Sequence, residues 1–196
     1  RRTLAVLRQQ AEPVSQVALA RFVPHWQSVG GRLRGHAGLL RVLEQLDGVA
    51  MPAVGFERLV LGARVRDYDT SIPEFRGDRE QLIQAVLNIA HNASQALAER
   101  VAAGDAQIIF KTRIARQVTF GKQRYRLALE LHVIDNGPGV PDSIKDRIFY
   151  PLVSGREGGS GLGLTLAQTF VQQHQGLIEC ESVPGHTDFK ILIPLP

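Results

Sequence analysis

Apolar positions recur at helix-like intervals through the first quarter of the chain, where Pro13, Pro24 and a Gly-Gly pair interrupt them. This pattern predicts a helical segment over residues 1–50. Residues 51–63 are weakly patterned and contain a proline and two glycines, which is typical of a linker. We therefore expect a domain boundary there.

From residue 64 onward the pattern predicts one α+β domain that runs to residue 196. A long helix is expected over Asp78–Arg100, because Asp78 and Gln81 have the spacing of a capping box and apolar positions follow with a helical period. A second helix is expected to end near His174. The strands are predicted at 64–68, 107–114, 126–134, 176–182 and 188–195. This order favours a two-layer sandwich of antiparallel strands with helices on one face.

Composition narrows the classes of function. The chain has 196 residues, 44% of them hydrophobic, and a net charge of +4 without any run of like charge, so nucleic acid is not indicated as a partner. Its single cysteine, Cys180, cannot form an internal disulfide, which favours a reducing cytoplasm. No window approaches the roughly 18 consecutive apolar residues of a membrane span. We expect a cytoplasmic chain with no direct membrane span.

The helix over 78–100 has a polar face that includes Asn88 and Asn92, four residues apart. Asparagine is a poor helix former, costing up to about 0.7 kcal/mol relative to alanine, so two of them in mid-helix suggest a use. An amide oxygen is a suitable ligand for Mg²⁺. The alternative is a solvated polar face.

Asp135 ends a predicted strand, and Gly137 and Gly139 follow it. A carboxylate at this position could accept a hydrogen bond from an exocyclic amine such as adenine N6, while the glycines would let the backbone approach a flat base. The alternative is an ordinary Asp-Asn-Gly turn.

A glycine-rich stretch from Gly155 to Gly163 leads into the predicted second helix. Backbone amides at a helix N-terminus can bind phosphate, and Arg156 could add a charge. The alternative is a flexible loop with a solvated arginine.

The order of these motifs resembles the GHKL superfamily of ATP-binding domains, and within it the histidine kinases. The residues that carry the resemblance all lie between 64 and 196. They are Asn88–Ala93, Asp135–Gly139, Phe149–Pro151, Gly159–Leu164 and Pro184–Phe189. Phe149–Gly159 and the hairpin around Arg116–Arg126 are similar, more narrowly, to the nitrogen-regulation sensor kinases.

The resemblance implies a Bergerat-type ATP-binding fold and a histidine kinase that uses Mg-ATP. By resemblance Asn92 would bind Mg²⁺, Asn88 would support it, Asp135 would select adenine, and residues 139–161 would form an ATP lid with Arg156 near the phosphates. Asn88, Asn92 and Arg156 are thus the candidate catalytic residues. The remaining nucleotide-binding candidates are Gly137, Gly139, Gly159, Ser160, Gly161, Leu162, Gly163 and Thr187.

The implied partners are a response regulator receiver domain, which would receive the phosphate on an aspartate, and a nitrogen-signal regulatory protein. The implied full protein is a homodimer through a helical hairpin, of which residues 1–50 could be a remnant. Neither His25 nor His36 is followed by the acid and the Asn-Pro expected of a phosphoacceptor. The chain is therefore expected not to phosphorylate itself efficiently.

Two other functions compete with the kinase. An ATPase of the topoisomerase, mismatch-repair or chaperone branch would need a glutamate as general base where this chain has Asn88, and an amide cannot take a proton at neutral pH. A nucleotide-sensing module without phosphotransfer would use the same pocket residues and remains open.

Overall fold

The computed structural model describes residues 64–73, 75–155 and 159–196. The predicted helical segment 1–50 and the linker 51–63 lie outside these residues. The described elements, in chain order, are β1 (Arg64–Asp67), α1 (Arg79–Ala96), α2 (Ala98–Ala103), β2 (Ile108–Phe120), β3 (Gln123–Asp135), α3 (Asp142–Lys145), α4 (Gly163–Gln173), β4 (Leu177–Val183) and β5 (His186–Leu195).

The five strands form one sheet in the order β1-β2-β3-β5-β4. The pairs β2–β3, β3–β5 and β4–β5 are antiparallel, as predicted, but β1 runs parallel to β2. The chain between β1 and β2 contains α1 and α2, and a helical crossover of this length lets the second strand start at the same end as the first. The sheet is therefore mixed, with a single parallel pair at one edge.

The helices cover one face of the sheet, so the predicted two-layer α+β sandwich is confirmed. Alternate residues of β3 point to the helices and are buried, as are the inward residues of β5. They pack against the apolar stripe of α1 and the buried side of α4. The largest fully buried side chains of this core are Ile89, Leu97, Leu129, Ile191, Val133, Val171 and Thr112.

Helix α1 begins as the sequence predicts and ends earlier. Asp78 Oδ1 accepts hydrogen bonds from the backbone N–H of Glu80 at 3.0 Å and of Gln81 at 3.1 Å, which satisfies two free amides of the first turn. At the other end Leu97 leaves the helical conformation and inserts its side chain fully into the core. The predicted helix over 78–100 is therefore two helices, because burying Leu97 redirects the chain into α2.

Strands β2 and β3 are each 13 residues long and extend well past their predicted ends. They pair in a single register from Ile108 opposite Asp135 to Phe120 opposite Gln123, interrupted only at Gln117, whose φ is 55°. A two-residue turn at Gly121 and Lys122 joins them, and Gly121 has a φ of 58°, in the left-handed region that tight hairpin turns require. The polar residues between the two predicted strands are thus themselves strand.

Candidate functional site

The carboxylate of Asp135 lies at the end of β3, facing the helices, and is only 3% exposed. Its Oδ1 accepts a hydrogen bond from the backbone N–H of Gly137 at 2.9 Å. A buried carboxylate is costly unless it is hydrogen-bonded, so its position here is held by the turn that follows it.

The turn after Asp135 is packed too closely for side chains. A Cβ on Gly137 would lie 2.7 Å from Asp135 Oδ1 and 3.2 Å from the Cβ of Ala96. Gly139 has a φ of 87° and lies against the backbone of Val183, where a Cβ would come within 3.0 Å. Both glycines are therefore required by the backbone path of this loop, which passes between α1 and the turn joining β4 to β5.

Two buried hydroxyls extend the site across the sheet. Thr187 of β5 lies directly opposite Asp135 in the register and opposite Ser182 of β4. The Oγ atoms of Ser182 and Thr187 are 3.0 Å apart, and Ser182 Oγ also accepts the backbone N–H of Val140 at 2.8 Å. Asp135, Thr187 and Ser182 thus form a polar row on three adjacent strands.

Lys145 of α3 reaches back over this row. Its Nζ donates to the backbone carbonyl of Ser182 at 2.6 Å. Together with the Val140 bond, this contact ties both ends of the segment 140–145 to β4. The loop after Asp135 is thereby fixed against the sheet at two points.

Asn88 and Asn92 lie on the same side of α1, half-buried, as predicted. Asn88 Oδ1 accepts a hydrogen bond from Gln84 Nε2 at 3.1 Å, but its Nδ2 is buried without a hydrogen-bond partner in the described part of the chain. An unsatisfied buried amide of this kind costs about 1–3 kcal/mol, and such groups need a reason. Gly163, the first residue of α4, lies next to Asn88, so α1 and the glycine-rich segment meet here.

The glycine-rich stretch 155–163 packs against the backbone of Leu152 and Val153 through Gly161. Its φ is 64°, and a Cβ there would lie 2.5 Å from the backbone of Leu152, whose N–H donates to the Gly161 carbonyl at 3.2 Å. Gly159, Ser160 and Leu162 are exposed. Arg156 lies outside the described residues.

Helix α4 starts beside this segment without a side-chain cap. Its N-cap residue is Leu162, whose side chain has no oxygen to accept a free amide, whereas α1 is capped by the side chain of Asp78. The first amides of α4 therefore point outward with the positive end of the helix dipole behind them. This is the geometry in which helices bind anions.

The structure thus brings Asp135, Gly137, Gly139 and Thr187 together at one end of the sheet, and Asn88 next to Gly163 at the meeting of α1 and α4. Asn136, which lies between Asp135 and Gly137, has a structural role. Its Oδ1 accepts the Gln107 N–H and its Nδ2 donates to the Asp105 carbonyl, both at 2.8 Å.

Sequence reasoning missed Ser182 and Lys145. Ser182 could have been noticed because it is a polar residue on the side of β4 that faces the core, which it shares with Ile178 and Cys180. No local signal marks Lys145, because its role depends on α3 lying across β4.

Cys180 is on the same strand, two residues before Ser182. Burial raises the pKa of its thiol from 9.0 to about 12, and the nearby carboxylates of Asp135, Asp188 and Glu181 act in the same direction. Lys145 opposes them and lowers the pKa. The thiol is therefore protonated at neutral pH.

Among the described residues, no helix is long and apolar enough to cross a membrane, and no group of three or more His, Cys, Asp or Glu side chains is arranged to hold a metal ion.

A family model described as "Histidine kinase-, DNA gyrase B-, and HSP90-like ATPase" matches residues 77–196. A second model, the winged-helix domain of large helicase-related protein, matches residues 14–72. Only the end of that second match is described, and it forms β1 and the turn that follows.

Curated relatives share almost half of their residues with the chain over the aligned part. The "Sensory histidine kinase/phosphatase NtrB" of Escherichia coli O157:H7 is 46% identical over 158 residues, which is 79% of this chain and 44% of that protein. The protein of the same name from Rhodobacter capsulatus is 44% identical over 137 residues, 67% of this chain and 36% of the relative. The chain thus spans less than half the length of these relatives.

Solved structures with the same fold are more distant in sequence. A mycobacterial sensor histidine kinase, MprB, superposes with a TM-score of 0.60 at 22% identity, over 85% of this chain and 98% of that one. The catalytic domain of histidine kinase ThkA gives a TM-score of 0.61 at 19% identity, over 81% and 93% of the two chains.

Proposed function

The chain belongs to the histidine kinase-, DNA gyrase B- and HSP90-like ATPase family, and from this premise we propose that residues 64–196 are the ATP-binding catalytic domain of a two-component sensor histidine kinase. The proposed whole protein acts in nitrogen regulation, in the cytoplasm, as a homodimer. Its proposed partners are a response regulator receiver domain and a nitrogen-signal regulatory protein. The sensor kinases named NtrB, at about 45% identity, support this narrower assignment.

The observation that carries the proposal is the buried carboxylate of Asp135. This carboxylate lies at the end of β3, beside a loop whose glycines expose the backbone because they have no side chains. Asp135 is also the register partner of Thr187 on β5. We assign adenine to this end of the pocket, because a carboxylate accepts from the exocyclic amine and a hydroxyl can serve either neighbouring ring nitrogen.

The other end of the pocket fits the phosphates. The uncapped first turn of α4 offers amides to an anion, and the adjoining Gly159–Gly163 segment adds backbone without side chains. Asn88 Nδ2 is the orphaned buried donor at this junction, and a phosphate oxygen would satisfy it. Asn92, one helical turn along, would then hold Mg²⁺, which supplies charge neutralisation on the phosphate oxygens. Arg156 is proposed to lie near the same phosphates.

The proposed reaction is phosphoryl transfer to a histidine of a helical hairpin. An imidazole nitrogen lone pair forms the bond to the γ-phosphorus while the bond from phosphorus to the β,γ-bridging oxygen breaks, and ADP leaves with that oxygen. The role of this chain is to bind and orient ATP and to neutralise charge, because this reaction needs little covalent help from the protein.

Hydrolysis is the less favoured reaction for this pocket. Asn88 has no basic group with which to activate water. An external nucleophile also fits the surface beside the pocket, where Tyr150 is 60% exposed and Leu152, which is hydrogen-bonded to Gly161, is 77% exposed. Leu162 and Leu166 are exposed as well. Exposed apolar patches of this kind mark interaction sites, and we propose that the helical hairpin docks here.

Substitution of Asp135 by Asn tests the nucleotide assignment. The change would place an amide donor against the adenine amine, leaving a buried mismatch worth about 1–3 kcal/mol. We expect the affinity for ATP, measured by calorimetry, to fall at least several-fold. Asp188→Asn, the same change on the opposite face of the sheet, is the matched control and should leave ATP affinity unaltered. Equal affinities of the folded Asp135→Asn variant and the wild type would exclude Asp135 as the adenine acceptor.

A further inference from the structure

The hairpin of β2 and β3 continues beyond the rest of the sheet as a two-stranded arm, residues 116–126, which we call the basic arm. The pairing of β3 with β5 ends at Leu127, and the pairing of β2 with β1 ends at Lys111. Contacts with the hydrophobic core end at Ile114 and Leu127. Each strand of the arm has about five residues, so the arm projects by roughly 17 Å.

The basic arm carries four positive charges and no negative charge. Its only charged residues are Arg116, Lys122, Arg124 and Arg126. Residues 64–196 as a whole contain 15 Lys and Arg and 15 Asp and Glu, so this domain has no net charge, and the +4 of the chain comes from residues 1–63. Outside the arm, residues 64–196 contain more Asp and Glu than Lys and Arg. The domain is therefore electrically polarised, with its positive end on the arm.

The four cations of the arm are exposed, and none of them forms an ion pair with another residue of the described part of the chain. This distinguishes them from neighbouring cations of the same sheet. Arg113, just before the arm, pairs with Asp67, and Lys190 of β5 pairs with Glu179 at 2.7 Å. Uncompensated charges projecting into solvent attract a partner of opposite sign over about a Debye length.

The arm also has internal contacts that hold its cations in place. The rings of Phe120 and Tyr125 pack with their centroids 5.1 Å apart, and Val118 lies opposite Tyr125 in the register. On the other side, Arg124 Nη2 donates to Gln117 Oε1 at 3.2 Å across the strands. An isolated two-stranded hairpin is marginally stable in water, so these contacts favour a fixed arm over a frayed one.

We propose that the basic arm is a docking surface for an acidic patch on a partner protein. The tip of the arm is Gly121 and Lys122, with no apolar side chain to insert into a membrane. The aromatic rings pack on each other and are half-buried, so they are not presented as a platform for nucleotide bases. A long polyanion running past the arm would also meet the acidic excess of the rest of the domain. A compact acidic patch on a protein meets none of these three obstacles.

The arm and the nucleotide pocket lie at opposite ends of β3. Arg126 and Asp135 are nine residues apart on this strand, a separation of about 30 Å. A partner on the arm would therefore leave the pocket accessible. Docking through so small a charged surface is expected to be fast, reversible and sensitive to salt. This inference does not depend on the proposed kinase function.

The test compares two double variants that remove the same charge. Arg124→Gln/Arg126→Gln neutralises half of the arm, and Arg76→Gln/Lys111→Gln removes two cations that lie outside the arm, the proposed lid and the pocket. The probes are a fluorescent peptide with eight Asp and Glu residues, a single-stranded oligonucleotide with eight phosphates, and phosphatidylserine vesicles. Binding is measured at low and at physiological salt, and ATP affinity is measured on the same samples as a check of folding.

We expect the wild type and the control variant to bind the acidic peptide with affinities within twofold of each other, and the arm variant to bind it at least tenfold more weakly. Equal losses in both variants would show that net charge, not the arm, is responsible. Tighter binding of the oligonucleotide or of the vesicles through the arm would also overturn the proposal, and would assign the arm to nucleic acid or membrane instead.

Discussion

Two hydroxyl groups that are buried away from water hold the proposed adenine end of the pocket. Ser182 and Thr187 are 6% and 4% exposed, and each is within hydrogen-bonding distance of the other. Ser182 Oγ accepts from Val140 while its carbonyl accepts from Lys145. One serine therefore positions both the Thr187 hydroxyl and the loop that passes over it, although we expect it to make no contact with the nucleotide.

The reactivity of the Cys180 thiol is determined by its own burial and by the charged residues around it. Since its pKa is raised from 9.0 to about 12, the thiolate fraction at pH 8 is lower than that of an unperturbed thiol by about a thousandfold. We expect alkylation of the folded chain by iodoacetamide at pH 8 to be slower by at least two orders of magnitude than alkylation in urea. Cys180 is the only cysteine, so the site of reaction is unambiguous. Comparable rates in the two states would contradict the buried environment.

The same shift has a consequence for stability. The folded state favours the protonated thiol, so this contribution is fully present below pH 9, the pKa of the unfolded thiol. It is lost as the pH rises from 9 toward 12.

Among the structural elements, α1 and α4 differ at their N-termini in a way that predicts where phosphate binds. Helix α1 is capped by Asp78, whereas α4 has no side-chain cap. We expect hydrogen exchange at Gly163, Leu164 and Thr165 to slow when a non-hydrolysable ATP analogue and Mg²⁺ are added, because the phosphates would engage these amides. The first turn of α1 is the internal control and should not change. Protection confined to α1, or none at saturating ligand, would move the phosphates away from α4.

The elements show which parts of the fold the sequence could predict. Long apolar periodicities and local capping residues marked α1, α4 and the inner parts of the strands. The resemblance indicated a hairpin around residues 116–126, but the hydrophobic pattern did not extend the strands into it, because four cations and two glutamines interrupt the alternation there. The early end of α1 was missed because leucine is a good helix former, and only the tertiary core draws Leu97 out of the helix. The parallel pairing of β1 depends on the crossover path, which no local pattern encodes.

The candidate site also contains residues that local sequence motifs indicate and residues that only tertiary contacts bring into place. Asp135, the glycines after it and the Asn88–Asn92 pair could be proposed from the sequence because each motif is local and its residue types suit a particular chemistry. Ser182 and Lys145 act through contacts between residues 37 to 42 positions apart. Such contacts arise only when β4, α3 and the loop after β3 are brought together.

At the scale of the whole molecule, we propose that residues 64–196 carry ATP binding and that the phosphoacceptor is a histidine outside this domain. His25 and His36 precede this domain, and neither is followed by the acid and the Asn-Pro expected of a phosphoacceptor. The attacking imidazole must be held in line with the γ-phosphate, and a misplacement of about 1 Å can cost on the order of a hundredfold in rate.

We therefore expect this 196-residue chain to bind ATP without accumulating phosphate on itself. Incubated with Mg-ATP labelled on its γ-phosphate, it should transfer label to an added helical hairpin domain from a matching nitrogen-sensor kinase. A hairpin whose phosphoacceptor histidine is replaced by glutamine is the control and should remain unlabelled, because Gln lacks the nucleophilic nitrogen. Stable label on His25 or His36, lost when that residue is changed to Gln, would instead identify a phosphoacceptor within this chain. No transfer to the hairpin from a chain that binds ATP would favour a nucleotide-sensing module over a kinase.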